Sequence, residues 1–571
     1  MTESTERHVA LTGMLLSVLC LAYFYLLDRL LFSSATFSLI FSYLLKIYDV
    51  QTAWLGVGVC LLALLWRRPA PILRLIDWLS RHPAIVAAGT VLAFGLGSVT
   101  IYHNYPLCMD EYAAVFQSKL FAAGRLFSQF PANAVDWLVA PSFNGSFFIA
   151  SHATGRVIEG YWPGFAGLLT PFQFLGAPWL CNPVLSGVAV LLLFRITLDI
   201  TGDRRLAGWA MLFALASGAF FLNGISYYAM QAHLAANLLF AWLLLKPDRT
   251  RAIAAGFVGS VALVLHNPLP HVLFALPWVV SIAIDRRQRA LLLPLIAGYL
   301  PVGLGVGLGW LSLRSSLMPA GDAMAAASSV VNGVFKWPNA AMLNMRVAAL
   351  AKIWVWAVPC LLFYAVLGLR QFADNKHIRL LSMSAALTFF AYLFVNLDQG
   401  HGWGYRYFHS AWGVLPILAA CALAGKSEAH SPLTAFAGAA AILNLLLVIP
   451  FQLSQVDGFI GRHLAQLPDP KRPGNNVYFI RPGGFYVADM IQIDPLLRDQ
   501  DLLLASRGDD VDEAMIRRNW PGAVLRERGF WAVQWYLGST DRRVSSAGDS
   551  LGKHFVIQGA PSSPPAASDH R

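Results

Sequence analysis

Apolar runs recur along the chain at about 10–28, 51–66, 84–102, 182–199, 207–223, 233–246, 252–266, 270–284, 290–313, 346–369, 379–396, 411–424 and 431–452. An upright membrane helix needs roughly 20 apolar residues, so the shorter runs must extend into their polar flanks, and about thirteen spanning helices are expected. Every second connection is short and basic: 66–82 with Arg67, Arg68, Arg74 and Arg81, then 203–205, 246–251, 285–289 and 370–379. Basic loops stay cytoplasmic. That places 103–160, 224–232, 267–269, 314–345, 397–410 and everything after 453 on the outer side. One further apolar stretch, 161–178, does not fit the alternation, because a crossing there would invert all later loops. Pro163, Gly164, Pro171 and Gly176 interrupt it, so it is expected to be a re-entrant or interfacial segment shielded by protein. The block 31–47 is expected to be an interfacial helix. Met1–Val9 is short and mixed in charge, with no small-residue cleavage site after the first apolar run, which reads as an uncleaved first helix.

Beyond 453 the pattern changes. Pro468, Pro470 and Pro473 mark a linker. Strands are expected at 476–480, 502–505 and 530–536, a helix at 510–519, and a helical or extended stretch at 486–493. The tail after Gly559 is rich in Ser, Pro and Ala and reads as disordered. Three parts result: a hairpin and basic loop over 1–83, a membrane module over 84–452 with an outer loop at 103–181, and a soluble α/β domain with its tail over 453–571. Composition agrees with lipid as the main solvent. Hydrophobic residues make up 57% of the chain and charged residues 13%, against about 25% in soluble proteins. The net charge of +11 sits in the membrane loops and marks no nucleic-acid partner. Cys20, Cys60, Cys108, Cys181, Cys360 and Cys421 form no CxxC pair. Cys108 and Cys181 fall on the outer side and could be bridged.

The residues with most chemical promise lie in the first large outer loop, Met109-Asp110-Glu111-Tyr112 through Arg125. Tyr112, Val115, Phe116, Leu120 and Ala123 recur at helical spacing, so 111–123 is expected to be an amphipathic helix at the membrane face, ended by Gly124. Asp110 reads either as a helix cap or as a general base at the mouth of a membrane cavity. Glu111 could hold a metal, orient an acceptor or be solvated. A second outer turn, Gly404-Tyr405-Arg406-Tyr407-Phe408-His409, presents Arg406. It reads either as a phosphate clamp or as a snorkelling interfacial side chain. Lys119, Arg125 and Lys336 are weaker candidates for the clamp. His233, His266, His271 and His409 fall at outer helix ends and could bind a divalent metal with Asp110 or Glu111, or touch a phosphate. Glu159 is an outer acidic residue that could help bind an acceptor. Tyr161, Trp162, Tyr227, Tyr228, Trp337 and Trp403 could stack on a sugar or line a lipid groove, and most are expected to form an interfacial aromatic belt.

The run Met109–Leu126 resembles the first outer loop of GT-C-fold glycosyltransferases, the group that includes protein O-mannosyltransferases and the lipid A aminoarabinose transferase. Gly160–Leu169, Ser226–His233 and Gly404–His409 resemble further outer elements of that group, although only Pro163 stands where the group has two prolines. The resemblance covers roughly 84–425. It implies a polytopic all-α bundle of GT-C type with an α/β extracytoplasmic domain, in a bacterial inner membrane with that domain periplasmic. It also implies transfer of a sugar, with inversion, from a polyprenyl-phosphate donor to a lipid, glycan or protein acceptor. Asp110 and Glu111 would then be catalytic. Arg406, Lys119 and Arg125 would bind donor phosphate, and Tyr112, Tyr405 and the four histidines would line the cavity. Two readings compete with it: a transporter or flippase of lipid-linked sugar, and a non-enzymatic scaffold. Spans nearly free of charge weigh against the transporter.

Overall fold

The computed structural model describes residues 3–31, 39–66, 70–318, 335–396, 400–425, 431–467, 475–483, 486–499 and 501–537. The linker prolines and the tail after Gly559 lie outside the described residues. Helix falls on every apolar run identified in the sequence. Six helical runs are long and apolar enough to cross a membrane unaided: Ile40–Leu65, Pro83–Thr100, Pro178–Thr201, Arg289–Leu317, Lys376–Phe394 and Pro432–Leu464. Arg204–Leu215 and Gly218–Ile225, bent by 65°, together make a seventh, and Leu11–Leu26, Met230–Leu245, Leu269–Ile284 and Leu361–Gln371 are shorter apolar helices. The protein is therefore a multi-pass membrane bundle.

Several expectations change. The described part of 31–47 is no separate interfacial helix; it runs continuously into the span Ile40–Leu65. Residues 346–369 are not one helix. Ala340–Val355 and Leu361–Gln371 are separated by a break in which Cys360 adopts a left-handed backbone (φ 69°). That break faces the bend at 216–218. The Ala219 N–H donates to Trp356 O at 2.9 Å, the Val358 N–H to Ser217 Oγ at 3.1 Å, and Asn444 Nδ2 to Ala216 O at 2.7 Å. Unwound backbone survives away from water because its groups find such partners. The stretch 161–178 contains the helix Gly164–Phe174, which passes through Pro171 and is too short to cross. Its first two residues are tied to the 264–266 turn through Gly164 N–H to Val264 O at 2.7 Å and Phe165 N–H to Leu265 O at 2.9 Å.

The spans are also less free of charge than expected. Lys352 and Asp49 are fully buried and form an ion pair at 2.8 Å. Lys352 Nζ donates to the carbonyls of His401 (2.9 Å) and Gly402 (3.0 Å), while Trp356 Nε1 donates to Asp49 Oδ1 at 2.6 Å. Arg346, two turns earlier, donates to the carbonyls of Tyr392 (2.8 Å) and Val395 (2.7 Å) and to the Tyr405 hydroxyl (2.9 Å). Two buried cations on one helix thus hold both limbs of the connection that carries Arg406.

Above the bundle lies a layer built from two distant parts of the chain. The outer loop supplies the helix Met109–Ala122 and an antiparallel sheet of β1 (Ser128–Gln129), β2 (Phe148–Ala150) and β3 (Arg156–Glu159), in the order β1-β3-β2. The C-terminal part supplies β4 (Asn476–Ile480), β5 (Leu502–Ala505), β6 (Val524–Arg528) and β7 (Ala532–Tyr536), in the order β5-β4-β7-β6, with only β4–β5 parallel. The helix Asp509–Asn519 follows β5, with three aspartates in its first turn and two arginines in its last, the polarity its dipole favours. The last membrane helix does not stop at 453 but runs to Leu464. One apolar core joins the two parts: Phe116, Phe130 and Trp137 from the loop pack with Phe479, Met515 and Val533 from the domain. Cys108 and Cys181 are free thiols and not a disulfide. Sγ of Cys108 instead lies 3.1 Å from the Tyr228 hydroxyl.

Removing one member of a buried ion pair strands the other. Lys352→Met is expected to destabilise the fold by about 3–5 kcal/mol, and Asp49→Asn combined with Lys352→Met by clearly less. Apparent melting temperatures of the purified variants check this; equal losses for the single and double variants would show the pair to be unimportant.

Candidate active site at the outer rim

The helix Met109–Ala122 is almost wholly buried, with Met109, Glu111–Ser118 and Leu120 inside. The amphipathic surface helix expected from its spacing is therefore a core helix, covered by the C-terminal domain. Gly124 (φ 68°) ends it as expected. Its start is not capped by Asp110. The residue before the helix is Cys108, and the Met109 N–H donates to Asp489 Oδ1 of the C-terminal domain at 2.7 Å. Gln492 Nε2 reaches Pro106 O at 2.5 Å, and the Tyr112 hydroxyl donates to Ile493 O at 2.5 Å. Tyr112 is thus an anchor to the domain and not a cavity residue.

Asp110, freed from capping, turns towards the bundle. Its Oδ2 lies 3.4 Å from Arg406 Nη1 and 3.5 Å from Nη2, and its Oδ1 accepts a short hydrogen bond from the Tyr161 hydroxyl. Arg406 begins the helix Arg406–Trp412, and its backbone N–H donates to Gly400 O at 2.9 Å, closing the turn. Gly404 (φ 76°) makes that turn in a conformation suited to glycine. The guanidinium sits 4.0 Å above the ring of Tyr228. Arg406 is nearly buried, and Asp110 keeps 18% side-chain exposure. His266 stacks on Tyr161 with ring centroids 3.8 Å apart, and burial lowers its imidazole to about 4, so it is neutral near pH 7. Tyr486, in a left-handed backbone conformation (φ 59°), packs on Cys108, Tyr228 and Met230 from the C-terminal side. A carboxylate, a guanidinium, a phenol and a neutral imidazole therefore meet at one rim of the bundle.

Glu111 takes no part in that rim. It is fully buried and accepts from the Tyr102 hydroxyl (2.9 Å), the Leu107 N–H (2.6 Å) and the Tyr227 N–H (3.0 Å). These bonds staple the loop after the second long span to the 226–228 turn. Lys119 pairs with Asp494 at 3.6 Å, about 13 Å along the helix from Asp110. Arg125 is exposed beyond the helix end. Neither joins Arg406, and Lys336 is also exposed. His271 lies between Asn237 Oδ1 (2.8 Å) and the Tyr299 hydroxyl (2.7 Å), and His409 Nε2 is 2.9 Å from Gln231 Oε1. His233 is fully buried with neither ring nitrogen hydrogen-bonded. Tyr405 accepts from Arg346. Glu159 is buried on β3 with neither carboxylate oxygen hydrogen-bonded; burial pushes it well above the usual range, against the pull of Arg314. Among the described residues, no three His, Cys, Asp or Glu side chains converge as a metal site. Trp337 is exposed, whereas Tyr227, Tyr228 and Trp403 are interior and form no surface belt.

Tyr161, named from sequence only as an outer aromatic residue, instead joins the site through its hydroxyl on Asp110, and Asp489 is a site residue that sequence reasoning does not find. Asp489 carries no signal, because its partner is a backbone N–H far away in sequence.

The arrangement is a helical membrane bundle that carries its polar centre under the 103–181 loop, and its fold is of the GT-C kind, as the likeness to a solved structure shows. Among solved structures, it is similar to ArnT from Cupriavidus metallidurans bound to undecaprenyl phosphate, with a TM-score of 0.51 and 11% identity, over 80% of this chain and 98% of ArnT. ArnT in the apo state gives 0.48 and 11% over 80% and 97% of the two chains. Archaeal oligosaccharyltransferase AglB from Archaeoglobus fulgidus, in complex with an inhibitory peptide and a dolichol-phosphate, gives 0.36 and 11% over 67% and 58%. No protein-family profile matches the sequence, and a comparison with curated proteins finds no match. At this identity the likeness is one of fold.

Burial pushes Glu111 up from its ordinary 4.5 to about 7, against its three hydrogen bonds, and pushes Asp489 from 3.8 to about 7. Carboxyls raised on folding hold more protons in the native state, so stability is greatest below the unfolded values and falls as pH rises towards about 7. The melting temperature is expected to drop across that window and level off above it. Glu111→Gln should lower the whole curve and flatten its slope. A wild-type curve that rises with pH there would contradict this account.

Proposed function

We propose that the chain is an inverting membrane glycosyltransferase that moves a sugar from a polyprenyl-phosphate donor to an acceptor at the outer face of a bacterial inner membrane, with the C-terminal domain periplasmic. The observation that carries this reading is the Asp110–Arg406 pair at the outer rim of a GT-C bundle. The neighbour ArnT was solved with undecaprenyl phosphate, which supports a lipid-phosphate donor here.

Arg406 supplies a planar cation fixed by its turn and by the Tyr228 face, suited to a phosphate. The incoming donor phosphate takes the place of Asp110 on that guanidinium. Asp110 is then left with the Tyr161 hydroxyl and a free Oδ2 facing the acceptor. As the acceptor oxygen or nitrogen attacks the anomeric carbon, its proton passes to Asp110. The bond between that carbon and the phosphate oxygen breaks, and polyprenyl phosphate leaves with the electron pair, its charge held by Arg406. Attack opposite the leaving phosphate inverts the anomeric centre. Glu111 acts only through position, by setting the height of the helix that bears Asp110.

A flippase is the second reading, favoured by the paired breaks at 216–218 and 356–360 and by the buried Lys352–Asp49 pair, features transporters use. Those breaks are closed on each other by hydrogen bonds, and the buried charges bond the Arg406 turn, which supports a fixed scaffold over a moving gate.

In reconstituted protein supplied with a polyprenyl-phosphate sugar, Asp110→Asn is expected to lower kcat by about 10²–10⁴-fold with KM for donor nearly unchanged. Arg406→Lys keeps the charge but loses the fork, and should raise the donor KM about tenfold. Full activity of Asp110→Asn would remove the base. Donor crossing liposomes with no acceptor product would favour the flippase.

A further inference from the structure

Beside Phe459, on whose ring Tyr486 packs, lies a cavity of about 330 Å³ with mixed polar and aromatic walls. Tyr43, Phe459, Arg462, His463, Gln466 and Trp531 contribute to its walls. It opens where the last long span, Pro432–Leu464, meets the C-terminal domain. Arg462 Nη2 donates to the Tyr48 hydroxyl at 2.7 Å, which fixes the guanidinium at the wall. His463 is 2% exposed, yet neither of its ring nitrogens has a hydrogen-bond partner. The buried hydroxyl of Tyr105, whose ring centroid is 6.1 Å from that of His463, also has none. Buried polar groups are almost always satisfied, so the unpaired imidazole of His463 in the cavity wall is placed to meet a group bound there. Among the described residues no carboxylate lines the space, and Asp457, one turn before Arg462, is taken by His103 at 2.7 Å. The cavity thus offers a fixed guanidinium, an imidazole and an amide, flanked by aromatic rings, at the end of the last long span.

We propose that this cavity is a second phosphate site, which binds the phosphate-bearing head group of an outer-leaflet lipid. On the function proposed above, that lipid is the acceptor. Arg462 holds its phosphate, and Trp531 and Tyr43 cover the head group's apolar faces. Tyr486 is the partition between the two sites: it packs on Phe459 on one side and on Cys108 and Tyr228 on the other. A lipid anchored at Arg462 would present its nucleophile past Tyr486 towards Asp110. Phosphate recognition is thereby divided, with the donor at Arg406 and the acceptor at Arg462.

Native mass spectrometry of the full chain, titrated separately with phosphatidic acid, diacylglycerol and undecaprenyl phosphate, tests this without an activity assay. Phosphatidic acid should bind and diacylglycerol should not. Arg462→Gln should weaken phosphatidic acid about tenfold and leave undecaprenyl phosphate unaffected, and Arg406→Gln should do the reverse. Trp531→Ala, which leaves Arg462 and its Tyr48 bond intact, should also weaken phosphatidic acid and guards against a folding artefact. Phosphatidic acid binding that survives both Arg462→Gln and Trp531→Ala, or that inorganic phosphate displaces with no preference for the lipid, overturns the second site. Undecaprenyl phosphate binding insensitive to Arg406→Gln would instead count against the donor assignment and leave the second site standing.

Discussion

A cation cannot stay in the apolar interior of a bundle without an anion and acceptors close by, and the placement of Lys352 follows from that constraint. Its anion is Asp49, at the π-helical turn of the first long span. Its acceptors are the carbonyls of His401 and Gly402, available because the chain there is not helical. Satisfying one ammonium therefore draws together the first hairpin, the helix Ala340–Val355 and the turn before Arg406. Arg346 repeats the device at the other limb of the same connection. The N-terminal hairpin, which the sequence presents as a separate leading segment, becomes part of the support for the outer rim.

Adjacent carboxylates in that rim have opposite fates, and backbone geometry decides which. At the first turn of a helix, neighbouring side chains point about 100° apart. Glu111 turns inward to two backbone N–H groups and a phenol and is held as a structural staple. Asp110 turns to the edge, where a guanidinium and a phenol meet it while part of it stays open. A pair of acids that looks interchangeable in sequence is thus split into one fixed group and one available group.

The spans were legible because hydropathy is a local property, and Gly124 could be read as a helix end for the same reason. Asp110 and Arg406 were legible as candidates, though their meeting was not, since nothing in 110–125 refers to 406. The amphipathic stripe on Met109–Ala122 was read as facing lipid because its true cover, Ile493 and its neighbours, lies far downstream. Lys119 was misplaced for the same reason, its partner being Asp494. The paired breaks escaped notice because Trp356–Cys360 is apolar enough to pass as helix, and β6 because Leu525-Arg526-Glu527-Arg528 is a mostly exposed edge strand without apolar alternation.

The contact between Asp489 and the N–H of Met109 spans 380 residues of chain. At a synthesis rate of about 5–20 residues per second, the first turn of the helix that bears Asp110 waits roughly 20–80 seconds for the carboxylate that completes it. During that interval the remaining spans, up to Leu464, are made and can be inserted while the helix still lacks its lid. Completion of that helix start is therefore timed by synthesis of the last domain, and a ribosome that stalls before 489 leaves a membrane-embedded body whose Asp110-bearing helix lacks the carboxylate at its first N–H.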